Sequence, residues 1–209
     1  MHQQNLFLAG IETSSITLVW AMAELAKNPT LMKKAQEEIR NHVGNRGKVT
    51  ERDIEELPYM KMIVKETLRL HPPAPLLVPR ETISDFKMEG YDFYPKTTVQ
   101  VNVWAIGRDP TCWKEPEEFL PERFAESSID YKGLHFELLP FGGGRRICPG
   151  LNMGMKTVDL ALANLLYHFD WKLPEGMKEE DLDMEEKSGL SLTVHKKLPL
   201  ELVPMLYHP

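Results

Sequence analysis

A glycine-rich loop that ends in one cysteine and leads into a helix constrains this chain more than any other feature. The segment PFGGGRRICPG, residues 140–150, precedes apolar residues that recur at the 3.6-residue spacing of an amphipathic helix, from Leu151 to Phe169. The consecutive glycines at 142–144 let the backbone approach a ligand closely and adopt angles closed to other residues. The loop is therefore predicted to form part of a binding or catalytic site.

Cys148 is the reactive residue of this loop. It stands just before the predicted helix, where exposed amides and the helix dipole stabilise a thiolate, and Arg145 and Arg146 add positive charge. The residues alone leave open a metal-bound thiolate, a nucleophile and a half-buried structural cysteine. A phosphate-binding loop is disfavoured, because the GxxxxGK[ST] pattern is absent from this segment. A nucleophile needs a base, and the nearest histidines, His135 and His168, stand in no recognisable pattern.

Composition excludes several classes of protein. The formal net charge of −6 over 209 residues gives no basic patch of the kind that binds nucleic acid, so no nucleic-acid partner is expected. Two cysteines are too few for a disulfide framework or a cysteine-rich zinc site, and they favour a reducing compartment. The most apolar segment, residues 6–26, is interrupted by Glu12 and Glu24 and is too polar for a membrane span.

Hydrophobic periodicity and capping signals predict a helix-rich α+β chain with small sheets and no linker. Helices are predicted at about 5–27, 29–43, 50–57, 59–70 and 151–169. A hairpin is predicted at 86–93 and strands at 97–104, 190–195 and 198–203, whereas 105–140 is irregular and 175–186 is an acidic solvated loop. The pattern indicates one domain, or part of one.

The loop resembles the haem-binding signature of the cytochrome P450 family, Phe-x-x-Gly-x-Arg-x-Cys-x-Gly. The fixed positions of that signature fall on Phe141, Gly144, Arg146, Cys148 and Gly150, and all match. The resemblance implies that Cys148 is the axial thiolate ligand of a haem iron. It also implies that Arg146 binds a haem propionate, since a guanidinium suits a carboxylate.

A second motif, Glu66-Thr67-Leu68-Arg69, is similar to the Glu-x-x-Arg motif of the same family. Periodicity places Arg69 away from the apolar stripe of its helix and favours a solvated acid–base pair. The resemblance implies instead a pair buried beneath the haem and joined by Arg123 of a Pro-Glu-Arg-Phe segment. In that case the three charges form a structural cluster that holds the cysteine loop in place.

A third motif, Ala9 to Ser14 (AGIETS), is similar to the oxygen-activation motif of the family. The resemblance implies that Glu12 and Thr13 pass protons to dioxygen, with Gly10 leaving room beside the helix. The alternative is that Thr13 bonds back to a helix carbonyl and Glu12 faces water. Arg80 matches the position of a haem-propionate partner, with an ordinary surface arginine as the alternative.

Together these motifs imply the C-terminal part of the cytochrome P450 fold over residues 1–209, as a single partial domain without its N-terminal half. The implied activity is a haem-dependent monooxygenase that inserts one oxygen atom from O2 into a small organic substrate, with electrons from an NADPH-dependent cytochrome reductase. The segments PFGGGRRICPG and HPPAPLLVPRE resemble the plant, membrane-anchored branch of the family. This resemblance implies that the parent protein is bound to the endoplasmic reticulum membrane on its cytosolic face, although this chain shows no anchor. The implied pocket residues are Phe7, Ala9, Thr13, Ala74, Leu76, Leu77 and Leu190.

Two other functions remain open at this point. One is an oxygen-independent member of the same fold that rearranges or dehydrates peroxides, against which Thr13 and the uninterrupted cysteine loop argue. The other is a catalytically inactive fragment that binds haem weakly or not at all. The second is favoured by a helix that begins almost at Met1, because a severed helix exposes apolar surface.

Overall fold

The first helix, α1 (His2–Lys27), packs against both α4 (Pro58–Leu70) and α6 (Leu151–His168). The computed structural model describes residues 2–187, 189 and 191–208, and for residues 2–8 the backbone alone. From Ile16 to Ala26 nearly every residue of α1 is buried. This half of the helix is apolar on most of its surface because other elements enclose it, whereas residues 9–15 remain exposed or half-buried.

Local capping signals define the next two helices. Pro29 begins α2 (Pro29–Val43), which ends at Gly44 with a positive φ. Thr50 and Asp53 form a capping box at α3 (Glu51–Ile54), with the Thr50 amide donating to Asp53 Oδ2 at 2.8 Å. The hydrogen bonds from Thr50 hold the pKa of Asp53 well below its usual range. The predicted helices are confirmed, with α3 shorter than expected.

Within the described residues, three small antiparallel sheets of two strands each complete the fold. The pairs are β1 (Arg80–Glu81) with β4 (Thr98–Val99), β2 (Phe86–Met88) with β3 (Tyr91–Phe93), and β5 (Phe169–Lys172) with β6 (Val203–Leu206). The predicted hairpin at 86–93 is confirmed. A short helix, α5 (Val103–Ile106), and three 3₁₀ turns at Pro121–Phe124, Gly144–Arg146 and Glu179–Asp181 lie in the irregular regions.

Three of the strand predictions are wrong in whole or in part. The strand predicted at 97–104 is limited to Thr98–Val99, because the Asn102 side chain accepts a hydrogen bond from the Ala105 amide at 3.0 Å and starts a helix instead. The strands predicted at 190–195 and 198–203 are replaced by one strand, Val203–Leu206, and residues 191–195 form none. The predicted last helix stops at His168, since Phe169 already pairs with Leu206 in β5–β6.

The main core lies where α1, α2, α4 and α6 meet. On α6 the buried residues Met155, Val158, Leu162 and Leu166 follow the predicted spacing. This packing fixes α6, and therefore the loop that precedes it. No helix in the described part of the chain is both long enough and apolar enough to cross a bilayer.

Candidate functional site

The loop before α6 is folded back on itself around Cys148. The Cys148 amide donates to the Phe141 carbonyl at 3.0 Å and closes the loop. Gly142 and Gly144 have φ angles of +70° and +67°, a region that residues with a side chain rarely adopt. The Cys148 side chain is half-buried. It lies just before α6, as predicted, because Gly150 is the N-cap and Leu151 the first helical residue.

Two arginines flank this loop. Arg80 donates from Nη2 to the Arg146 carbonyl at 3.1 Å, which connects β1 to the cysteine loop. Neither Arg80 nor Arg146 forms an ion pair with a carboxylate within the described residues. The site therefore has two cationic groups that suit the carboxylates of an anionic ligand.

The donor set of the loop fits a haem. It combines a thiol, two guanidinium groups without carboxylate partners, and a backbone kept thin by glycine. A Cβ built on Gly142 would meet the Leu77 side chain at 3.6 Å, so the segment before β1 packs against the loop. Cys148, Arg146 and Arg80 are the residues that would hold the group.

The buried charges of Glu66, Arg69 and Arg123 come together in one cluster. Arg69 donates from Nε to Glu66 Oε2 at 2.7 Å, and Arg123 donates from Nε to Glu66 Oε1 at 2.8 Å. The Glu66 and Arg69 side chains are wholly inaccessible to solvent. The expectation from periodicity that Arg69 points away from the apolar stripe into water is wrong, because later parts of the chain cover it.

Backbone groups satisfy the remaining hydrogen-bonding capacity of this cluster. Arg69 also donates to the carbonyls of Gly107, Pro116 and Glu118. The Leu120 amide donates to Glu66 Oε1 at 2.8 Å. A buried charge cluster is tolerated only when its groups are partnered in this way. Gly107 was not identified from the sequence, although a glycine after a short helix marks a place where another chain segment can approach closely.

The predicted proton-transfer pair on α1 bonds to a carbonyl of its own helix and to residues near position 193. Thr13 donates from Oγ1 to the Ala9 carbonyl at 2.6 Å, which is the back-bonded alternative. Glu12 Oε1 accepts from Thr193 Oγ1 at 2.8 Å and lies 3.1 Å from His195 Nε2. The hydrogen bonds from Thr193 and then His195 lower the pKa of Glu12.

Thr193 and His195 were not identified from the sequence, because they are about 180 residues from Glu12 along the chain. Their one usable signal is spacing. Residues two apart in an extended segment point to the same side, so both side chains could face one partner.

The predicted pocket residues are only partly described. Ala9 and Leu76 are exposed, whereas Thr13, Ala74 and Leu77 are half-buried. The side chain of Phe7, and Leu190, lie outside the described residues. Ile11, Leu76 and Val78 keep 60%, 42% and 56% of their surface exposed, so the neighbourhood of these positions is apolar and accessible.

Comparison with protein families identifies one match that covers most of the chain. The family model for cytochrome P450 matches residues 2–200. The chain is 59% identical over 202 residues to Arabidopsis thaliana cytochrome P450 71B20, and 62% identical over 203 residues to cytochrome P450 71B26 of the same plant. These alignments cover 96% and 97% of this chain but 40% of each relative. The chain thus spans about two fifths of the length of the curated relatives it matches.

Solved structures show the same relationship. A zebrafish cytochrome P450 in complex with abiraterone superposes with a TM-score of 0.86 at 30% identity, covering 99% of this chain and 46% of that one. A zebrafish cytochrome P450 structure with progesterone gives a TM-score of 0.82 at 30% identity, with 96% and 44% covered. The helices and small sheets described above are therefore arranged as in part of those folds.

Proposed function

The chain belongs to the cytochrome P450 family, and on that premise we propose that the protein containing it is a haem-thiolate monooxygenase. The proposed reaction consumes a substrate RH, O2, NADPH and one proton, and yields ROH, NADP⁺ and water. The single observation that carries the proposal is the closed loop around Cys148, bonded through the Arg146 carbonyl to Arg80, a second arginine without a carboxylate partner among the described residues.

Cys148 is proposed as the axial ligand of the haem. When bound, the haem supplies the iron at which dioxygen is reduced, and a thiolate ligand favours cleavage of the O–O bond. The hydrogen bond from the Cys148 amide to Phe141 holds the sulfur at the end of a closed turn. Arg146 and Arg80 are proposed to bind the propionates, because both guanidinium groups are available to carboxylates beside this turn.

Glu12 and Thr13 are proposed to deliver the protons that the reaction would consume. The Thr13 hydroxyl proton is held by the Ala9 carbonyl, so its oxygen keeps lone pairs for another donor. Glu12 is ionised through its hydrogen bonds and accepts protons rather than supplying them at rest. Because a lowered pKa leaves Glu12 without a proton at rest, Glu12 must receive a proton during turnover before it can act as a general acid.

Glu66, Arg69 and Arg123 are proposed to position the site without contacting the reacting atoms. The cluster joins α4 to the backbone between Gly107 and Leu120. This connection stiffens the segment that leads towards the cysteine loop. The proposed substrate is a small organic molecule that contacts the apolar positions near Ala74, Leu76 and Leu77.

The electron donor and location are proposed from the same relationship. Members of the family use a redox partner, and the partner proposed here is an NADPH-dependent cytochrome reductase. The plant relatives support a location at the endoplasmic reticulum, with this part of the chain on the cytosolic face.

A carbon-monoxide difference spectrum of the full-length protein, reduced and loaded with haem, tests the ligand directly. The unsubstituted protein and Cys112→Ser, a matched change at an exposed cysteine, should both give the Soret band of thiolate ligation. Cys148→Ser should lose it. A thiolate band that survives in Cys148→Ser would refute the assignment.

Turnover experiments separate the proposal from its rivals. Product that requires O2, NADPH and reductase supports a monooxygenase, whereas product from a hydroperoxide alone indicates an oxygen-independent member of the fold. The same spectrum, recorded on residues 1–209 alone, shows whether this portion binds haem without the rest of the protein.

A further inference from the structure

The C-terminal segment 193–197 contacts the carboxylate of Glu12 on α1. Thr193 donates to Glu12 Oε1 at 2.8 Å, and His195 Nε2 lies 3.1 Å from the same oxygen. Because an ionised carboxylate only accepts hydrogen bonds, His195 Nε2 is the donor in this contact. One carboxylate oxygen therefore has two side-chain donors from a distant part of the chain.

The segment that carries these donors is fixed on both sides. The Val194 amide donates to the Pro73 carbonyl at 3.0 Å, and the Lys187 amide donates to the His195 carbonyl at 2.8 Å. Lys196 is buried, bonds to the Asp183 carbonyl and lies over the Trp20 ring at 5.6 Å. The contact with Glu12 therefore belongs to a well-anchored segment rather than to a free chain end.

Exposure gives the two donors different properties. Thr193 is buried, so its hydroxyl fixes the orientation of the Glu12 carboxylate. The His195 side chain keeps 49% of its surface exposed, and Glu12 keeps 42%. The imidazole thus touches both Glu12 and the solvent-accessible surface, and its two ring nitrogens can bond to both at once.

We propose that His195 passes protons from solvent to Glu12, and that Thr193 positions the carboxylate that receives them. This inference rests on the proposed monooxygenase function and adds two residues to its proton supply. His195 is a proton-transfer residue and Thr193 a positioning residue; neither is proposed to touch the substrate or the haem.

The imidazole of His195 transfers a proton by gaining one at Nδ1 and releasing another from Nε2. A water molecule protonates Nδ1 of the neutral imidazole, and the Nε2 proton moves to Glu12 Oε1, which leaves the neutral Nδ1–H tautomer and hydroxide to be neutralised by buffer. Rotation of the ring restores the starting tautomer. When protons arrive too slowly, O2, NADPH and one proton yield H2O2 and NADP⁺ instead of ROH and water. Loss of the relay therefore appears as peroxide.

The test uses the full-length, haem-loaded protein with its reductase and a substrate that the protein is known to oxidise under these conditions. The variants are His195→Gln and Thr193→Val, with Thr193→Ser as the conservative variant and His208→Gln as a matched change at an exposed histidine. Product and H2O2 are measured per NADPH consumed. His195→Gln should lower product per NADPH by roughly threefold to tenfold, less than the about 10²–10⁴ lost with a general acid, because water partly replaces the imidazole. Thr193→Val should change it in the same direction.

Two further readouts separate a lost relay from a damaged fold. The thiolate carbon-monoxide band should remain in every variant. Thr193→Ser should retain the wild-type amount of product per NADPH consumed. In the resting protein, hydrogen exchange at amides 193–197 should rise in Glu12→Ala, which reports the contact without turnover.

The possible outcomes distinguish this inference from the proposed function. Unchanged product per NADPH in both His195→Gln and Thr193→Val would overturn the relay alone. Absence of NADPH-dependent product from the unsubstituted protein would overturn the monooxygenase proposal and the relay together.

Discussion

Arg69 donates two parallel hydrogen bonds to the carboxylate of Glu66, from Nε to Oε2 at 2.7 Å and from Nη2 to Oε1 at 2.8 Å. This bidentate geometry suits the planar guanidinium and adds direction to the attraction between charges. Both side chains are fully buried, so solvent cannot replace either partner. The pair differs in kind from the exposed ion pairs on the surface of the chain, which contribute little to stability.

Glu66→Gln should therefore strongly destabilise the protein. The amide cannot balance the charges of Arg69 and Arg123, and loss of one partner from a buried ion cluster costs about 3–5 kcal/mol. Thermal unfolding of the full-length protein, followed by circular dichroism, measures the change. The matched control is Glu37→Gln, in an exposed pair with Lys33, and it should unfold at the wild-type temperature. Equal effects at both positions would contradict the role of burial.

Sequence reasoning was most successful where the information is local. The periodic apolar residues of α6 and the capping box at Thr50 are set by neighbours within one or two helical turns, and the corresponding helices were predicted. Periodicity does not predict the burial of Arg69, which only the family resemblance implies, because the carbonyls that cover Arg69 come from residues 38 to 49 positions later. The pattern around Arg69 describes one face of a helix, whereas its environment is set by the tertiary structure.

The candidate site also combines residues that a local motif predicts with residues that only the tertiary structure brings together. The cysteine loop is one contiguous motif, so its residues and glycines could be identified from the sequence. The contact between Glu12 and His195 joins positions 183 apart, and no local pattern encodes it. The C-terminal strands were misplaced for a related reason, since the position of β6 is set by its partner β5 rather than by its own alternation.

Tyr167→Phe should destabilise the connection between α6 and the turn after α2. The buried Tyr167 hydroxyl donates to the Gly44 carbonyl at 2.7 Å and accepts from the Gly47 amide at 3.2 Å. Loss of both hydrogen bonds should cost about 1–2 kcal/mol, measured as a lower midpoint of thermal unfolding. Tyr91→Phe, at a hydroxyl of a residue that is 72% exposed, is the control and should leave the midpoint unchanged. A similar shift for both variants would disprove the assignment.

Asp159 should make stability depend on pH in the direction opposite to most carboxylates. Burial raises its pKa to about 6, and Oδ1 has no hydrogen-bond partner among the described residues. The folded pKa exceeds the unfolded value of about 3.9, so the folded state binds the proton more tightly. The Asp159 carboxyl therefore does not lower the free energy of unfolding below about pH 4. Its destabilising effect grows as the pH rises from about 4 to 6 and is complete above that range.

Asp159→Asn removes this titration and should stabilise the full-length protein by about 2–3 kcal/mol at pH 8, and by only about 1 kcal/mol near pH 4.5. Unfolding midpoints at the two pH values measure the difference. Asp85→Asn, at an exposed position, should give no gain at either pH. If Asp159→Asn stabilised the protein equally at both values, titration of this carboxyl would not be the cause.

Gly107→Ala should disrupt the buried cluster through the backbone rather than through charge. A Cβ at Gly107 would lie 2.4 Å from the Arg69 carbonyl oxygen and 3.3 Å from that of Val103, and neither backbone atom can rotate away. The added methyl would also displace the Gly107 carbonyl that accepts a hydrogen bond from Arg69. Overpacking of this kind costs about 1–3 kcal/mol or more, and lost hydrogen bonds of Arg69 add to it.

The matched change is Gly154→Ala within α6, where a Cβ would meet nothing within 4 Å. Because alanine is the better helix former, Gly154→Ala should stabilise the protein by about 0.5–1 kcal/mol. The two variants add the same single methyl and should shift the unfolding midpoint of the full-length protein in opposite directions. A Gly107→Ala protein as stable as wild type would show that α5 can move away from Arg69. The close approach of α4 and α5 would then not be what requires glycine at this position.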